Sequence, residues 1–336
     1  MILRSNNKPA VAVIGDGSWG TALTKIITEN GFKVRWWMRN RDRARYIKAF
    51  GHNPHYLSSV HFVKRKIKPT VKISRAVDGA QYVLLTTPAA FIKNVLDQLP
   101  SNAFDDKIVI SAIKGMIPEE KSLVTDYVKK KFNLSDEQVG IVSGPCHAEE
   151  IAMGRQSYLT TASSNIETAT QIAELFDVRY VNVTPVNDLE GVEYSAIMKN
   201  IIAIASGVTY GLNFGDNFQA VLVSNAIQEI KTFLDEIKPA QRNLFASAYL
   251  GDLLVTSYSQ FSRNRTFGTL IGRGYSIKAA MVEMRMVAEG YYAIKSINEL
   301  MDKHELDLPI CKAIHHIIYG KISPAIEFQL LKSKLQ

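Results

Sequence analysis

The sequence predicts a doubly wound α/β domain over residues 1–186 followed by an all-α domain over residues 187–336. Three observations carry this reading. The first half alternates short apolar runs with segments of helical periodicity, the pattern of a parallel sheet covered by helices. A glycine-rich loop, Gly15-Asp16-Gly17-Ser18-Trp19-Gly20, separates the first apolar run from the first helical segment. Beyond Thr184-Pro185-Val186-Asn187-Asp188 the strand signals stop and helical patterns take over. A length of 336 residues suits two domains.

In chain order, Ala10 to Ile14 is a buried strand, and Trp19 to Glu29 a helix stopped by Asn30-Gly31. Lys33 to Met38 is the next strand, and Arg41 to Phe50 the next helix. Tyr82 to Thr86 is a strand ended by Pro88, with a helix from there to Leu99. Strands follow at Lys107–Ser111 and Val139–Ser143, with a helix near Ser122–Lys131 between them. Further strands are expected at Tyr158–Thr161 and Arg179–Val183. The second half reads as helices at Leu189–Ser206, Phe218–Ile237, Ala240–Leu250, Ile277–Met286, Tyr291–Lys303 and Ile310–Tyr319.

Composition narrows the function classes. Apolar residues make up 46% of the chain, enough for a sizeable core. The formal charge of +8 comes from 40 basic and 32 acidic residues, with short basic runs at Arg39–Arg43, Lys64–Lys66 and Lys129–Lys131. Each run is read either as a solvated face or as attraction for anionic ligands such as nucleotides and phosphate esters. A nucleic-acid binder would carry a denser stripe with interleaved aromatics. Cys146 and Cys311 have no zinc or redox spacing and fit a reducing compartment. Met1–Lys8 lacks the apolar core of a signal peptide, and no apolar run approaches the ~20 residues of a membrane span. A cytoplasmic location is therefore expected.

The loop has the form GxGxxG in the context that gives it meaning, after a strand and opening a helix. Its first glycine permits the tight turn, its second lets the backbone approach a pyrophosphate, and its third lets the helix pack on the sheet. The helix N-terminus favours the negative charge. This is a Rossmann-like dinucleotide site, with Gly15, Gly17, Ser18, Trp19 and Gly20 as binding residues. An NAD-selective fold places Asp or Glu about 20 residues on, at the end of the second strand. Here Met38-Arg39-Asn40-Arg41 stands instead. A guanidinium at Arg39 suits a 2′-phosphate or stacks on adenine, so NADPH is favoured, with NADH use open.

In the second half, Lys199 lies among Ala196, Ile197, Ile201, Ile202 and Ala203. A lysine there is costly to bury unless something pairs or uses it. Downstream come Asp252, Thr256 and Ser262-Arg263-Asn264, the residue types that tune a lysine and hold an anion. Lys114, in Ser111-Ala112-Ile113-Lys114-Gly115, follows a strand at the carboxyl edge of the sheet, where such folds bind ligands. Reduction of a ketone by hydride needs a proton donor beside the carbonyl oxygen, and a lysine can serve. Two lysines facing one substrate would lower each other's pKa, and both would attract a phosphate ester. Taken singly, each residue has a plainer reading. Lys199 snorkels from a helix edge, Lys114 is a surface loop residue, Asp252 a helix cap, and Arg263 an ion-pair partner.

Taken together, the chain resembles the bacterial-type NAD(P)-dependent sn-glycerol-3-phosphate dehydrogenases over nearly its whole length. The matching stretches are Gly15–Leu23, Ser111–Gly115, Ser143-Gly144-Pro145-Cys146-His147-Ala148-Glu149-Glu150, Met198–Ala205, Gly251–Thr256, Ser262–Asn264 and Val287–Gly290. The resemblance implies reversible reduction of dihydroxyacetone phosphate to sn-glycerol 3-phosphate, supplying phospholipid synthesis, with no metal, in a homodimer. It implies a C-terminal half like that of 6-phosphogluconate dehydrogenase, and an active site between the halves. Lys199 would be the general acid and base. Lys114 would contact substrate near the reacting carbon and reach the cofactor. Asp252 would orient Lys199 or the reacting hydroxyl, supported by Asn200 and Thr256. Gly144 and Cys146 would line the substrate site, and Ala148 would touch the cofactor. Ser262, Arg263 and Asn264 would hold the phosphate, with Arg263 also reaching the cofactor, and Val287 and Glu289 would lie by the nicotinamide.

The chain departs from the family pattern at Cys146 (often Ser or Thr), His147 (Phe), Ser257 (Cys) and Asp16 (Ala). An acid at Asp16 should weaken pyrophosphate binding unless it points away. One rival reading is a β-hydroxyacid or ketopantoate dehydrogenase, against which the Ser262-Arg263-Asn264 clamp argues. Another is a nucleotide sensor without turnover, against which Lys114, Lys199 and Asp252 argue.

Overall fold

The computed structural model describes residues 8–284 and 287–336. Met1–Asn7, in which no signal-peptide core is expected, and Met286, the expected end of one helix, lie outside the described residues. The chain forms two compact units. One comprises Met1–Ile113, Val124–Val142 and Cys146–Leu189; the other comprises Lys114–Leu123, Ser143–Pro145 and Glu190–Gln336.

The first unit runs β1 (Ala10–Ile14), α1 (Ser18–Glu29), β2 (Lys33–Trp37), α2 (Arg41–Phe50), β3 (Ile67–Thr70), α3 (Ile73–Val77), β4 (Ala80–Leu85), α4 (Ala89–Leu96), β5 (Ile108–Ser111), α5 (Val124–Phe132), β6 (Val139–Ser143), α6 (Ala148–Ala152), β7 (Ser157–Ser163), α7 (Ile166–Ala173) and β8 (Val181–Val186). The strands form one eight-stranded sheet in the order β3-β2-β1-β4-β5-β6-β7-β8. Pairing is parallel from β3 through β6, and again between β7 and β8. Val11 to Ile14 are fully buried, as a parallel strand covered on both faces requires. The strand order reverses between β1 and β4, so the crevice beyond their carboxyl ends is the ligand position of a doubly wound sheet.

The second unit is helical: α8 (Leu189–Gly211), α9 (Gly215–Ile237), α10 (Asp252–Tyr258), α11 (Arg263–Gly272), α12 (Ile277–Met284), α13 (Glu289–Lys303), α14 (Pro309–Ile318) and α15 (Pro324–Leu331). The helix expected over Ala240–Leu250 is not formed. Asn243 folds its side chain back to accept from the Phe245 N–H at 3.1 Å, an Asx turn that competes with helix. A π-helical turn, Ser247–Gly251, then leads into α10.

Every residue of α8 from 191 to 209 is buried, so this helix is the axis of the unit. Its contact with α11 is made of backbone. A Cβ on Gly207 would overlap the carbonyl oxygen of Arg265, and one on Gly268 the carbonyl oxygen of Ile204. A Cβ on Gly211 or Gly272 would lie 2.6 Å from Thr269 O or Val208 O. Ile204 thus faces Gly268 and Val208 faces Gly272, so the helices run alongside each other four residues at a time. One step back on each helix stand Asn200 and Asn264, and both meet Gly290. Gly290, on α13, joins that level: its N–H donates to Asn264 Oδ1 at 3.0 Å, and its Cβ position lies 2.6 Å from Asn200 O. Elsewhere in this unit Glu229 caps α14, accepting from the N–H groups of Ile310 at 2.5 Å and Cys311 at 3.1 Å. Among the described residues no helix is long and apolar enough to cross a membrane.

Candidate active site

The glycine loop has the shape its sequence requires. Gly15 takes φ +127°, and a Cβ there would sit 2.6 Å from Thr86 Oγ1, so only glycine fits between β1 and the end of β4. A Cβ on Gly20 would lie 2.5 Å from Gly15 O, which gives the third glycine its packing role. At Gly17 nothing lies within 4 Å of the Cβ position, leaving the backbone open where a pyrophosphate would approach the start of α1. Trp36 Nε1 donates to Gly15 O at 2.8 Å and fixes the turn from β2. Ser18, buried, and Trp19, half-buried, open α1. Arg39 is exposed just past β2. These residues fit a dinucleotide. Asp16 does not stand beside the loop as a bare acid, because its carboxylate pairs with Arg43.

In the helical unit, Lys199, Asp252 and Lys114 form one cluster. Lys199 Nζ bonds Asp252 Oδ1 and donates to Thr256 Oγ1 at 3.0 Å. Lys114 Nζ lies 3.2 Å from Asp252 Oδ2 and donates to Gly144 O at 3.3 Å. Lys199 and Asp252 are 3% and 1% exposed, so this is a buried charge set and not a surface ion pair. The snorkelling and cap readings therefore do not describe these side chains. Burial alone would push the Asp252 carboxyl up. The ammonium groups of Lys114 and Lys199 outweigh that and hold it below the usual carboxylate range. The two lysines do not face each other bare: the Asp252 carboxylate sits between them.

The supporting residues hold this cluster from several elements. Asn200 Nδ2 donates to Lys114 O at 2.8 Å, tying the loop after β5 to α8. Thr256 donates its own hydroxyl proton to Asp252 O at 2.6 Å, leaving lone pairs toward Lys199. Gly144, at φ +117°, turns its carbonyl to Lys114 in a conformation that favours glycine. Ser143, not among the sequence candidates, donates to Asp252 Oδ2 at 3.3 Å. The signal for it was its place in the Ser143–Glu150 stretch, at the carboxyl end of β6.

At the N-terminus of α11, Ser262 Oγ accepts from the Arg265 N–H at 3.3 Å and caps the helix. Asn264 Oδ1 is occupied by Gly290. Ser262, Arg263 and Asn264 thus bring a hydroxyl, a guanidinium and a side-chain amide together at one helix N-terminus, residue types suited to an anion. Cys146, half-buried, and Ala148, buried at the start of α6, belong to the first unit, while half-buried Val287 and Glu289 flank the start of α13.

Family models match both halves of the chain. The N-terminal model of NAD-dependent glycerol-3-phosphate dehydrogenase matches residues 10–169, and the C-terminal model matches residues 188–329. A glycerol-3-phosphate dehydrogenase (NAD(P)+) of Desulfotalea psychrophila is 34% identical, with 99% of each chain covered. One from Staphylococcus carnosus is 32% identical over 96% of this chain and 98% of the relative. The crystal structure of glycerol-3-phosphate dehydrogenase from Coxiella burnetii superposes with a TM-score of 0.90 at 28% identity, covering 96% of this chain and 98% of that one. With both halves matched in order and relatives aligned from end to end, the chain belongs to the NAD-dependent glycerol-3-phosphate dehydrogenase family.

Proposed function

We propose that this chain catalyses the reversible reduction of dihydroxyacetone phosphate to sn-glycerol 3-phosphate, in the direction that supplies glycerophospholipid synthesis. As a member of its family it is an oxidoreductase using NAD(P)H. The observation that carries the reading is the buried Lys114–Asp252–Lys199 set, with the donor-rich start of α11 at the level of Asn200 on the adjoining helix. The reduced nicotinamide, when bound, supplies the hydride. Lys199 delivers the proton from Nζ to the carbonyl oxygen as negative charge builds there. Asp252 and Thr256 hold that Nζ in place. Lys114 adds a second positive charge toward the developing alkoxide, in a site where charge is poorly screened. Arg263, Ser262 and Asn264 hold the phosphate and so fix the carbonyl within reach.

The test is loss of reduced-nicotinamide absorbance with dihydroxyacetone phosphate, with unphosphorylated dihydroxyacetone as control. Turnover that depends on the phosphate supports the reading. Binding of nucleotide without turnover on any ketone would favour the sensor instead. Arg263→Ala should raise KM for the phosphorylated substrate by roughly 10- to 100-fold, the loss of a charge-assisted contact, with a smaller change in kcat. An unchanged KM would place the phosphate elsewhere. Arg39 makes NADPH the favoured cofactor. A cytoplasmic homodimer is part of the same proposal, with sedimentation velocity as the check on its mass.

A further inference from the structure

Asp16, between Gly15 and Gly17, sends its carboxylate away from the loop to Arg43 in the first turn of α2, with Oδ2 2.5 Å from Nη1. The two side chains are only 14% and 19% exposed, so this pair is shielded from the screening that weakens surface ion pairs. Its frame is built on both sides. Asn53, fully buried, donates to Asp16 O at 2.9 Å and to Thr21 Oγ1 at 3.0 Å. Asn40 accepts from the Arg43 N–H at 2.8 Å as the cap of α2. The Arg43 guanidinium lies 5.4 Å from the centre of the Tyr56 ring.

The place of this pair matters. An NAD-selective doubly wound fold puts a carboxylate at the end of β2, where it accepts from a ribose 2′-hydroxyl and repels a 2′-phosphate. Here that position holds the exposed cation Arg39. A carboxylate nevertheless comes to the start of α2, the element that follows Arg39, from the glycine loop. It also occupies Arg43, which would otherwise add a further cation to Arg39 and Arg41.

We propose that the Asp16–Arg43 pair is a specificity determinant for the nucleotide, one that limits the advantage a 2′-phosphate gains from Arg39. The proposal rests on the dinucleotide reading of the glycine loop. Removing the Asp16 charge takes away an acid and releases a guanidinium. Both changes favour a 2′-phosphate, and neither distinguishes nucleotides that lack one.

Calorimetric titration of the full chain with adenosine 2′,5′-bisphosphate and with adenosine 5′-monophosphate isolates the 2′-phosphate, since the ligands differ only there. Asp16→Ala and Asp16→Asn should each raise the affinity ratio in favour of the bisphosphate by about tenfold. Arg43→Met, which leaves the acid unpaired, should lower the ratio. Asp16→Asn keeps the side-chain volume, so the reading survives a loop that Ala disturbs. An unchanged ratio in Asp16→Asn, with both ligands still bound, overturns the proposal. A wild-type chain that binds neither ligand overturns the dinucleotide reading itself, and this proposal with it.

Discussion

Lys199→Ala should lose turnover by roughly 10²–10⁴-fold, the range for removal of a positioned general acid, while nucleotide affinity stays within a factor of a few. The expectation follows from placement. Lys199 is 3% exposed, and its Nζ is held by Asp252 and Thr256, so no water-borne group takes the same position without the carboxylate behind it. Nucleotide affinity should survive because the glycine loop and Arg39 belong to the other compact unit. Truncation leaves Asp252 paired with Lys114 and Ser143, so the fold should persist with some loss of stability. Steady-state rates and nucleotide titration on the same preparation separate the two effects. Turnover within tenfold of wild type would mean that another group supplies the proton. Lys199→Arg restores charge but not a point-like ammonium, and it should not recover the rate.

Gly268→Ala should destabilise the chain by about 3 kcal/mol or more, at the upper end of overpacking costs, and should reduce kcat together with stability. The added methyl has no free space, because it meets the carbonyl oxygen of Ile204 on α8. No rotamer relieves a clash with backbone, so α11 must move, carrying Arg263 and Asn264 away from the level of Asn200. Thr266→Ala, on an exposed position of the same helix, should stay within about 0.5 kcal/mol. Thermal unfolding of the two variants decides the matter. Equal melting temperatures would show that the helices are not in the contact described.

The parts of the fold governed by local signals were legible. β1, α1 and β2 announced themselves by an apolar run, a glycine loop and a second apolar run. Lys199 was legible because its charge is out of place in its own helix. What escaped was governed by tertiary contact. β3, with the sequence Ile67-Lys68-Pro69-Thr70, carries a proline and a lysine that weaken any strand signal, and it pairs only at the sheet edge. α11 was not foreseen as a helix, because Gly268 and Gly272 are poor helix formers; they stand there to meet α8. Ser143 was hidden by the long sequence separation from Asp252. Asp16 was recognised as odd, but its partner lies on α2 and nothing local named it.

The glycine contact between α8 and α11 also bears on how this chain can change over time. Apolar side chains packed against one another can drift by compensating exchanges of volume. The line through Gly207, Gly211, Gly268 and Gly272 has no volume to exchange. A single methyl added on that line therefore cannot be absorbed by a compensating exchange. The protein's tolerance to mutation is uneven by construction, and its most brittle positions are the residues with the least chemistry.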